Sequence, residues 1–415
     1  MEVNQIIHGD CLQVLRTFPS NMVDSVVTDP PYGLSREPDI REVLAKWLSG
    51  EEYQHQDKGF MGMSWDSFVP SPKVWREVYR VLKPGGHALI FAGTRTQDLM
   101  TISLRLAGFE VRDVIEWLYF NGFPKSLDVG KAIDSMERGK LVSAKIRYFR
   151  EARGLSMSEL AALIGVGTNN IHDWEVGGHA PSERRWNEIK GKLGVSDEEE
   201  QMFERTVIGE VEKLNSFSCE GDYRVGGRYE KKIIRITAPA TDLAQKWNGW
   251  GTSLKPAHEP IILVRKPLEG TVARNVERYG TGALNIDGCR VKEKFPANCV
   301  TVDSISLLAF NITEPKLSKK ATRKDRDSDW RGKEVVKNNH PTVKPTALMT
   351  WLVRLITPPG GIVLDPFAGS GSTCVAARRE GFFFIGIERE LEYVEIARKR
   401  VGEIDTVPEV QLTLF

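Results

Sequence analysis

The stretch from Ile362 to Glu388, IVLDPFAGSGSTCVAARREGFFFIGIE, decides the fold. Ile362–Leu364 is a short apolar run stopped by Asp365 and Pro366. Gly369 and Gly371 follow, Thr373–Glu380 has helical composition, and Phe383–Ile387 is a second apolar run closed by Glu388. Strand, Gly-rich loop, helix and strand in that order make the repeating unit of a parallel α/β sheet. Glycines let the backbone approach a ligand, and a helix N-terminus offers unpaired N–H groups. The third Gly of the dinucleotide fingerprint is missing. So is the Lys of a phosphate-binding loop, which argues against an NTPase. An acidic residue at the end of the following strand is placed for ribose hydroxyls. Asp365, Pro366, Phe367, Ala368, Gly369, Gly371 and Glu388 therefore suit a nucleoside cofactor without phosphates.

The same rhythm extends outward from this stretch. Ala347–Ile356 and Leu391–Val401 read as flanking helices. Far upstream, Gln5–His8, Val23–Thr28, Ala88–Ala92 and Val111–Phe120 read as strands, with helices at Cys11–Phe18, Lys73–Leu82 and Gln97–Ala107 between them. Lys83–Gly86 reads as a turn. Residues between these halves lack the pattern, so the α/β domain is split around foreign material.

Composition narrows the class. The chain has 415 residues, 27% charged and 41% hydrophobic, as a globular protein of two or three domains would. Lys and Arg (57) nearly cancel Asp and Glu (56), so evidence for a nucleic-acid partner must come from local patches. Five widely spaced cysteines form no Cys-x-x-Cys pair, which disfavours a disulfide framework or a zinc site and fits a reducing cytoplasm. No apolar run is long enough to span a membrane, and the first ten residues do not read as a signal peptide.

Directly after Val23–Thr28 comes Asp29-Pro30-Pro31-Tyr32. Ligands in open α/β sheets bind at the carboxyl ends of strands. The prolines withhold N–H groups and leave local carbonyls free as acceptors. An ionised Asp, a free carbonyl and an aromatic ring suit a planar group bearing an amine. A Pro-terminated strand entering a tight turn would carry the same letters.

Together these motifs resemble the amino-group (N6-adenine or N4-cytosine) DNA methyltransferases, which use S-adenosylmethionine. The resemblance covers most of the chain outside Ser143–Val195. The tetrapeptide precedes the Gly loop, the order of the permuted β group. Gly9-Asp10-Cys11 resembles the loop at the cofactor adenine. His340 to Pro345, with Thr342 and Lys344, resembles the segment over the methionine end. Ala257-His258-Glu259-Pro260 resembles the last sheet hairpin, while Gly122–Ser126 and Trp250–Thr252 resemble a phage-associated branch. The resemblance implies a Rossmann-like, circularly permuted methyltransferase sheet. It gives Asp29 and the Pro30 carbonyl the target amine, with Pro31 completing the motif, and Tyr32 the flipped base. It places the cofactor on Asp10, Cys11, Thr342, Lys344, Asp365–Gly369, Gly371 and Glu388, with no metal. Asp rather than Ser at position 29 points to adenine N6 over cytosine N4. A DNA-binding regulator on an inactive scaffold is the competing non-enzymatic reading.

Ser143–Val195 reads as an inserted all-α unit. Ser156 and Glu159 form a capping box, Gly165–Gly167 a turn, and Thr168 can cap a third helix. Two helices on a short Gly turn resemble a phage-repressor helix-turn-helix. Thr168, Asn169, Asn170 and His172 would face double-stranded DNA, with Arg147, Arg150, Arg153, Arg184 and Arg185 on its phosphates. The same fold also serves as a spacer or dimerisation module, so a homodimer is an open expectation.

The domain plan is thus a catalytic half over 1–135, the helix-turn-helix over 143–196, an unassigned connection over 197–246 and a return strand within 247–267. A candidate target-recognition region over 268–335 follows, where Lys319, Lys320, Arg323 and Lys324 could neutralise phosphates. A cofactor half over 336–404 and a flexible tail over 405–415 complete it. In that tail Gln411, Leu412, Leu414 and Phe415 resemble the bacterial sliding-clamp-binding motif.

Overall fold

A computed structural model describes residues 2–34, 36–55, 66–119, 126–176, 181–196, 207–214, 231–290, 294–301 and 338–402. They divide into two compact units, Met1–Gly122 with Ala257–Phe415, and Phe123–Pro256. The first unit opens with β1 (Gln5–His8), α1 (Cys11–Arg16), β2 (Val23–Thr28), α2 (Ile40–Ser49), α3 (Pro72–Val81), β3 (Leu82–Phe91), α4 (Gln97–Leu106) and β4 (Glu110–Leu118). The second holds α5 (Val129–Ala152), α6 (Met157–Ile164), α7 (Thr168–Val176), α8 (Glu183–Leu193), β5 (Val207–Leu214), β6 (Lys231–Thr237) and α9 (Asp242–Lys246). The first unit then resumes with β7 (His258–Arg265), α10 (Val272–Tyr279), β8 (Cys299–Thr301), α11 (Thr346–Ile356), β9 (Ile362–Asp365), α12 (Ser372–Arg379), β10 (Phe383–Glu388) and α13 (Leu391–Gly402).

Eight strands form one sheet in the order β1-β10-β9-β2-β3-β7-β4-β8. Neighbours run parallel, except that β7 lies antiparallel between β3 and β4. All six residues of β2 are buried, as a central strand covered on both faces requires. Alternation then sorts side chains by face. Val27, Leu89 and Phe91 join a core with Leu348 and Leu352 of α11, Ala376 of α12 and Val394 of α13. Val26, Ala88 and Ile90 join the opposite core with Leu15 of α1, Trp75 and Val78 of α3 and Leu104 of α4. A charge is embedded here too. Asp24 of β2 pairs with Lys83 at 2.5 Å and accepts the Ile362 N–H at 2.8 Å, stitching β9 to β2.

Two local expectations change. Lys83–Gly86 is an excursion within β3, where the register jumps from Val23 opposite Leu82 to Ser25 opposite His87. Gly85 holds φ +75°, and a Cβ there would run into the buried Asn275 amide, which donates to Pro84 O at 2.9 Å. Helix α2, with Val43 and Trp47 buried and Asp39 capping it, fills a stretch that periodicity alone leaves unread.

The second unit leaves and rejoins the first at neighbouring strand ends. Leu118 of β4 lies opposite His258 of β7, and the Tyr119 N–H donates to Ala257 O at 2.8 Å. Within the second unit, α5 begins well before Ser143, where the all-α unit was expected to start, because Asp128 caps it at the Lys131 N–H. The Ser156–Glu159 capping box is present, and Gly165 ends α6 at φ +69°. Ile146, Phe149, Leu160, Ile164, Ile171, Trp186 and Ile189 make this unit's own core. Strands β5 and β6 pair antiparallel in the segment that resists assignment from sequence. Buried Asp134 of α5 accepts from the Ala240 and Thr241 N–H groups at 3.0 and 3.1 Å, fixing the approach to α9.

Candidate active site

The two motifs that are distant in sequence meet at the carboxyl ends of adjacent parallel strands. β2 and β9 pair through Ser25 with Val363 and Val26 with Leu364. From this seam β9, β10 and β1 follow one another in one direction, and β2 and β3 in the other. Such a reversal opens a crevice, the usual ligand site of an open α/β sheet. Thr28 Oγ1 donates to Asp365 Oδ1 at 2.7 Å, and the Phe367 N–H donates to the same oxygen at 3.1 Å. Burial pushes the Asp365 carboxyl up to about 6, against hydrogen bonds from Thr373 and Thr28 that favour its charged form.

Asp29 sits next to this seam with both oxygens engaged. Oδ1 accepts from the Tyr32 hydroxyl at 2.7 Å, and Oδ2 accepts from Lys344 Nζ at 2.5 Å. Glu259 of β7 reaches the same group. Its Oε2 accepts from Tyr32 at 3.1 Å and lies 3.5 Å from Lys344 Nζ. The Lys344 ammonium also stands over the Tyr32 and Phe91 rings, at 5.3 and 4.9 Å from their centroids. Burial opposes the lysine's charge, but Asp29 and Glu259 together hold its pKa above the usual range. Burial raises the Asp29 carboxyl, Lys344 pulls it back, and Glu259 adds to the rise. Burial, then Asp29 and Glu259, keep Tyr32 a neutral phenol. The tetrapeptide backbone is gripped as well. The Tyr32 and Gly33 N–H groups donate to Asp66 Oδ1 at 2.8 and 3.2 Å, and Thr96 Oγ1 donates to Tyr32 O at 2.6 Å.

Sequence reasoning placed Lys344 with the cofactor segment; in the structure its ammonium is directed at Asp29 and Glu259. Glu259 and Asp66 were not singled out as site residues. The signal for Glu259 was present, a lone carboxylate at the start of an otherwise apolar strand. Asp66 carries no such local mark.

The Gly loop is held from several sides. Glu388 Oε2 accepts the Gly369 N–H at 2.8 Å and Oε1 the Glu390 N–H at 2.7 Å. The Arg389 N–H also bonds this carboxylate, which as a four-site acceptor keeps capacity for a hydroxyl. Gly369 (φ +51°) is covered by His340, whose ring meets Tyr393 edge-on at 4.5 Å. Gly371 (φ +82°) lies so close to Ala397 of α13 that a Cβ would approach it to 2.9 Å. Pro366 and Ala368 are buried and the Phe367 ring is partly so. The Gly9 N–H donates to Glu388 O at 2.9 Å, bringing the 9–11 loop beside β10. There Asp10 caps α1 through the Gln13 N–H, and burial, then Asp10, pushes the Cys11 thiol up to about 12. Thr342 is exposed, its N–H donating to His340 Nδ1 at 3.3 Å.

In the second unit Thr168, Asn169, Asn170 and His172 all stand exposed on α7. Four of the five arginines expected on phosphates are bonded within the unit. Arg150 makes a two-pronged pair with buried Glu175 at 2.5 and 2.9 Å, and Arg147 approaches the same carboxylate at 3.6 Å. Arg153 donates to Leu193 O, and Arg185 bonds Glu188 at 2.7 Å. Lys319, Lys320, Arg323, Lys324 and the 411–415 pentapeptide lie outside the described residues.

A model of the N6/N4 DNA methylase family matches residues 23–136 and 143–399. The chain belongs to this family. Among its relatives are the type II methyltransferases M.HindIII of Haemophilus influenzae and M2.DpnII of Streptococcus pneumoniae. M.HindIII is 34% identical over 160 residues, 38% of this chain and 44% of that protein. M2.DpnII is 49% identical over 72 residues, 17% of this chain and 25% of that protein. The chain thus spans less than half the length of either relative. Similar solved structures include the M1.HpyAVI complex with S-adenosylmethionine, at 17% identity and TM-score 0.40, covering 96% of this chain and 98% of that one. PvuII DNA methyltransferase, cytosine-N4-specific, has 15% identity and TM-score 0.43, covering 98% and 88%.

Proposed function

We propose that the chain is a site-specific DNA methyltransferase that moves a methyl group from S-adenosylmethionine to the exocyclic N6 amine of adenine in duplex DNA. The observation that carries this is the Thr28–Asp365 hydrogen bond. It sets the Asp29 tetrapeptide and the Gly loop side by side at the reversal of the sheet. Asp365 and Glu388 set two carboxylates against the Gly loop, which suits a sulfonium nucleoside better than a phosphate. When bound, that cofactor supplies an electrophilic methyl group. Asp365 and Glu388 hold the Gly loop in shape, and Glu388 offers lone pairs to ribose hydroxyls. Asp29 and the Pro30 carbonyl accept the target amine's N–H groups and orient its lone pair, so the protein's part is positioning and electrostatics. A base must leave the stack to reach Asp29.

A permuted chain accounts for the sheet. Counted from β9, the strands β9, β10, β1, β2 and β3 take the spatial order 3-2-1-4-5 of a doubly wound fold. The α6–α7 pair, with four polar residues exposed on α7, is the proposed DNA-reading module. The Gln411–Phe415 clamp contact rests on sequence alone, and pull-down with and without those residues tests it. Expression in a methylation-free bacterial host, followed by modification-sensitive long-read sequencing, tests the whole reading. N6-methyladenine in one motif, absent with Asp29→Ala, is expected. N4-methylcytosine would overturn the base assignment, and unmodified DNA would overturn the enzyme.

A further inference from the structure

Asp29 is the group that must receive the target amine, yet both of its oxygens already hold donors. Both donors have a second acceptor within reach, and it is the same atom. The Tyr32 hydroxyl lies 2.7 Å from Asp29 and 3.1 Å from Glu259 Oε2. Lys344 Nζ lies 2.5 Å from Asp29 and 3.5 Å from Glu259 Oε2. Glu259 is anchored on a rigid element, since its residue pairs with Trp117 across the β4–β7 ladder. A shift of about an ångström would move either donor from one carboxylate to the other, with no proton leaving lysine or tyrosine.

We propose that Glu259 is a positioning residue that takes over the Lys344 ammonium and the Tyr32 hydroxyl as the incoming amine engages Asp29. The proposal rests on the methyltransferase reading of Asp29. Without Glu259 the ammonium would have no other anionic partner in this cluster, and it would compete with the amine for Asp29. With it, Asp29 is held charged and in place before the amine arrives and is released when the amine binds. The hand-over also keeps buried lysine paired throughout, which avoids the cost of an uncompensated buried cation.

The charged and titratable groups facing Asp29 are Lys344 ahead of α11, Glu259 on β7, Tyr32 on its own loop and Asp365 on β9, while Tyr119 after β4 hydrogen-bonds Glu259. Their signs predict opposite effects on pH dependence. Asp29 must be charged to accept the amine, so protonating it sets an acid limb on kcat. Removing the Lys344 cation raises the Asp29 pKa and moves that limb to higher pH. Removing the Glu259 charge lowers the Asp29 pKa and moves the limb to lower pH.

The test uses the full chain, S-adenosylmethionine and a duplex carrying the motif found by long-read sequencing. Glu259→Gln is expected to lower kcat about 10- to 100-fold, as loss of hydrogen bonds to a charged group does. Cofactor affinity by calorimetry is expected to stay within about twofold, Glu259→Asp to recover most of kcat, and the Gln and Lys344→Met limbs to move in opposite directions. Wild-type kcat in Glu259→Gln overturns the proposal. So does a fall in kcat with an unmoved pH profile and no recovery by Asp, which would mark Glu259 as merely structural. A wild-type chain that methylates no DNA would instead remove the methyltransferase reading, and Glu259's role with it. An active wild type beside an inactive Asp29→Asn control separates the two failures.

Discussion

His87 shows how much a single buried side chain can impose. It sits in β3 opposite Arg265, almost wholly buried, and burial followed by Arg265 and Arg112 lowers its pKa from 6.5 to about 4. The unfolded chain takes up a proton near 6.5, whereas the native state resists until about 4. Stability is therefore full above that window and declines as pH falls through it, by on the order of 3 kcal/mol. Urea unfolding between pH 7 and pH 4 measures this slope, and His87→Gln is expected to flatten it. At this scale the sequence was informative wherever chemistry and backbone agree. Asp29, Asp365 and Glu388 announce themselves because each ends an apolar run. Asp66 and the aim of Lys344 were not legible, because their meaning lies in partners 33 to 315 positions away.

Elements followed their sequence signals where the signals were local. The capping box of α6, the Gly165 stop and the strands β1 and β2 stand where patterning put them. Patterning failed where tertiary contacts decide. The turn at Lys83–Gly86 became an excursion within β3, because β2 pairs on both sides of it and Asn275 fills its centre. Several arginines read as phosphate contacts also brace helices. Arg150 of α5 and Glu175 of α7 form the sharpest such brace, with Glu175 fully buried. Glu175→Ala removes the two-pronged pair but leaves Arg150 its bonds to Leu155 O and Glu151. It is expected to cost about 1.5–3 kcal/mol, seen as early melting and loss of amide protection in α5 and α7. Arg150→Met combined with Glu175→Leu is expected to recover most of that loss, since neither charge is then left alone.

At the scale of the whole molecule, the Asp29–Asp365 crevice and the helical module belong to separate compact units. Replacing residues 123–256 by a short loop is expected to leave cofactor affinity within about threefold of the intact chain, because among the described residues the partners of the Gly loop and of Asp29 named above lie outside the excised segment. Calorimetry with S-adenosylmethionine checks this, and DNA affinity by fluorescence anisotropy is expected to fall in the same variant. In sequence the same interruption reads as a break in the α/β rhythm, with the catalytic half ending at 135 and the return strand within 247–267, beside unit edges at Gly122 and Ala257. A break in hydrophobic period marks the presence of new material, but only strand pairing marks where the old material resumes.

That seam between β4 and β7 has a historical consequence. Tyr119 and Ala257 are hydrogen-bonded neighbours, so everything between them is, for the sheet, the loop of a hairpin. A hairpin loop can lengthen, shrink or be exchanged by recombination at little cost to the strands that bear it. A lineage built this way can acquire, discard or trade its helical cassette in one genetic step while the sheet and the Asp29–Asp365 site are inherited unchanged.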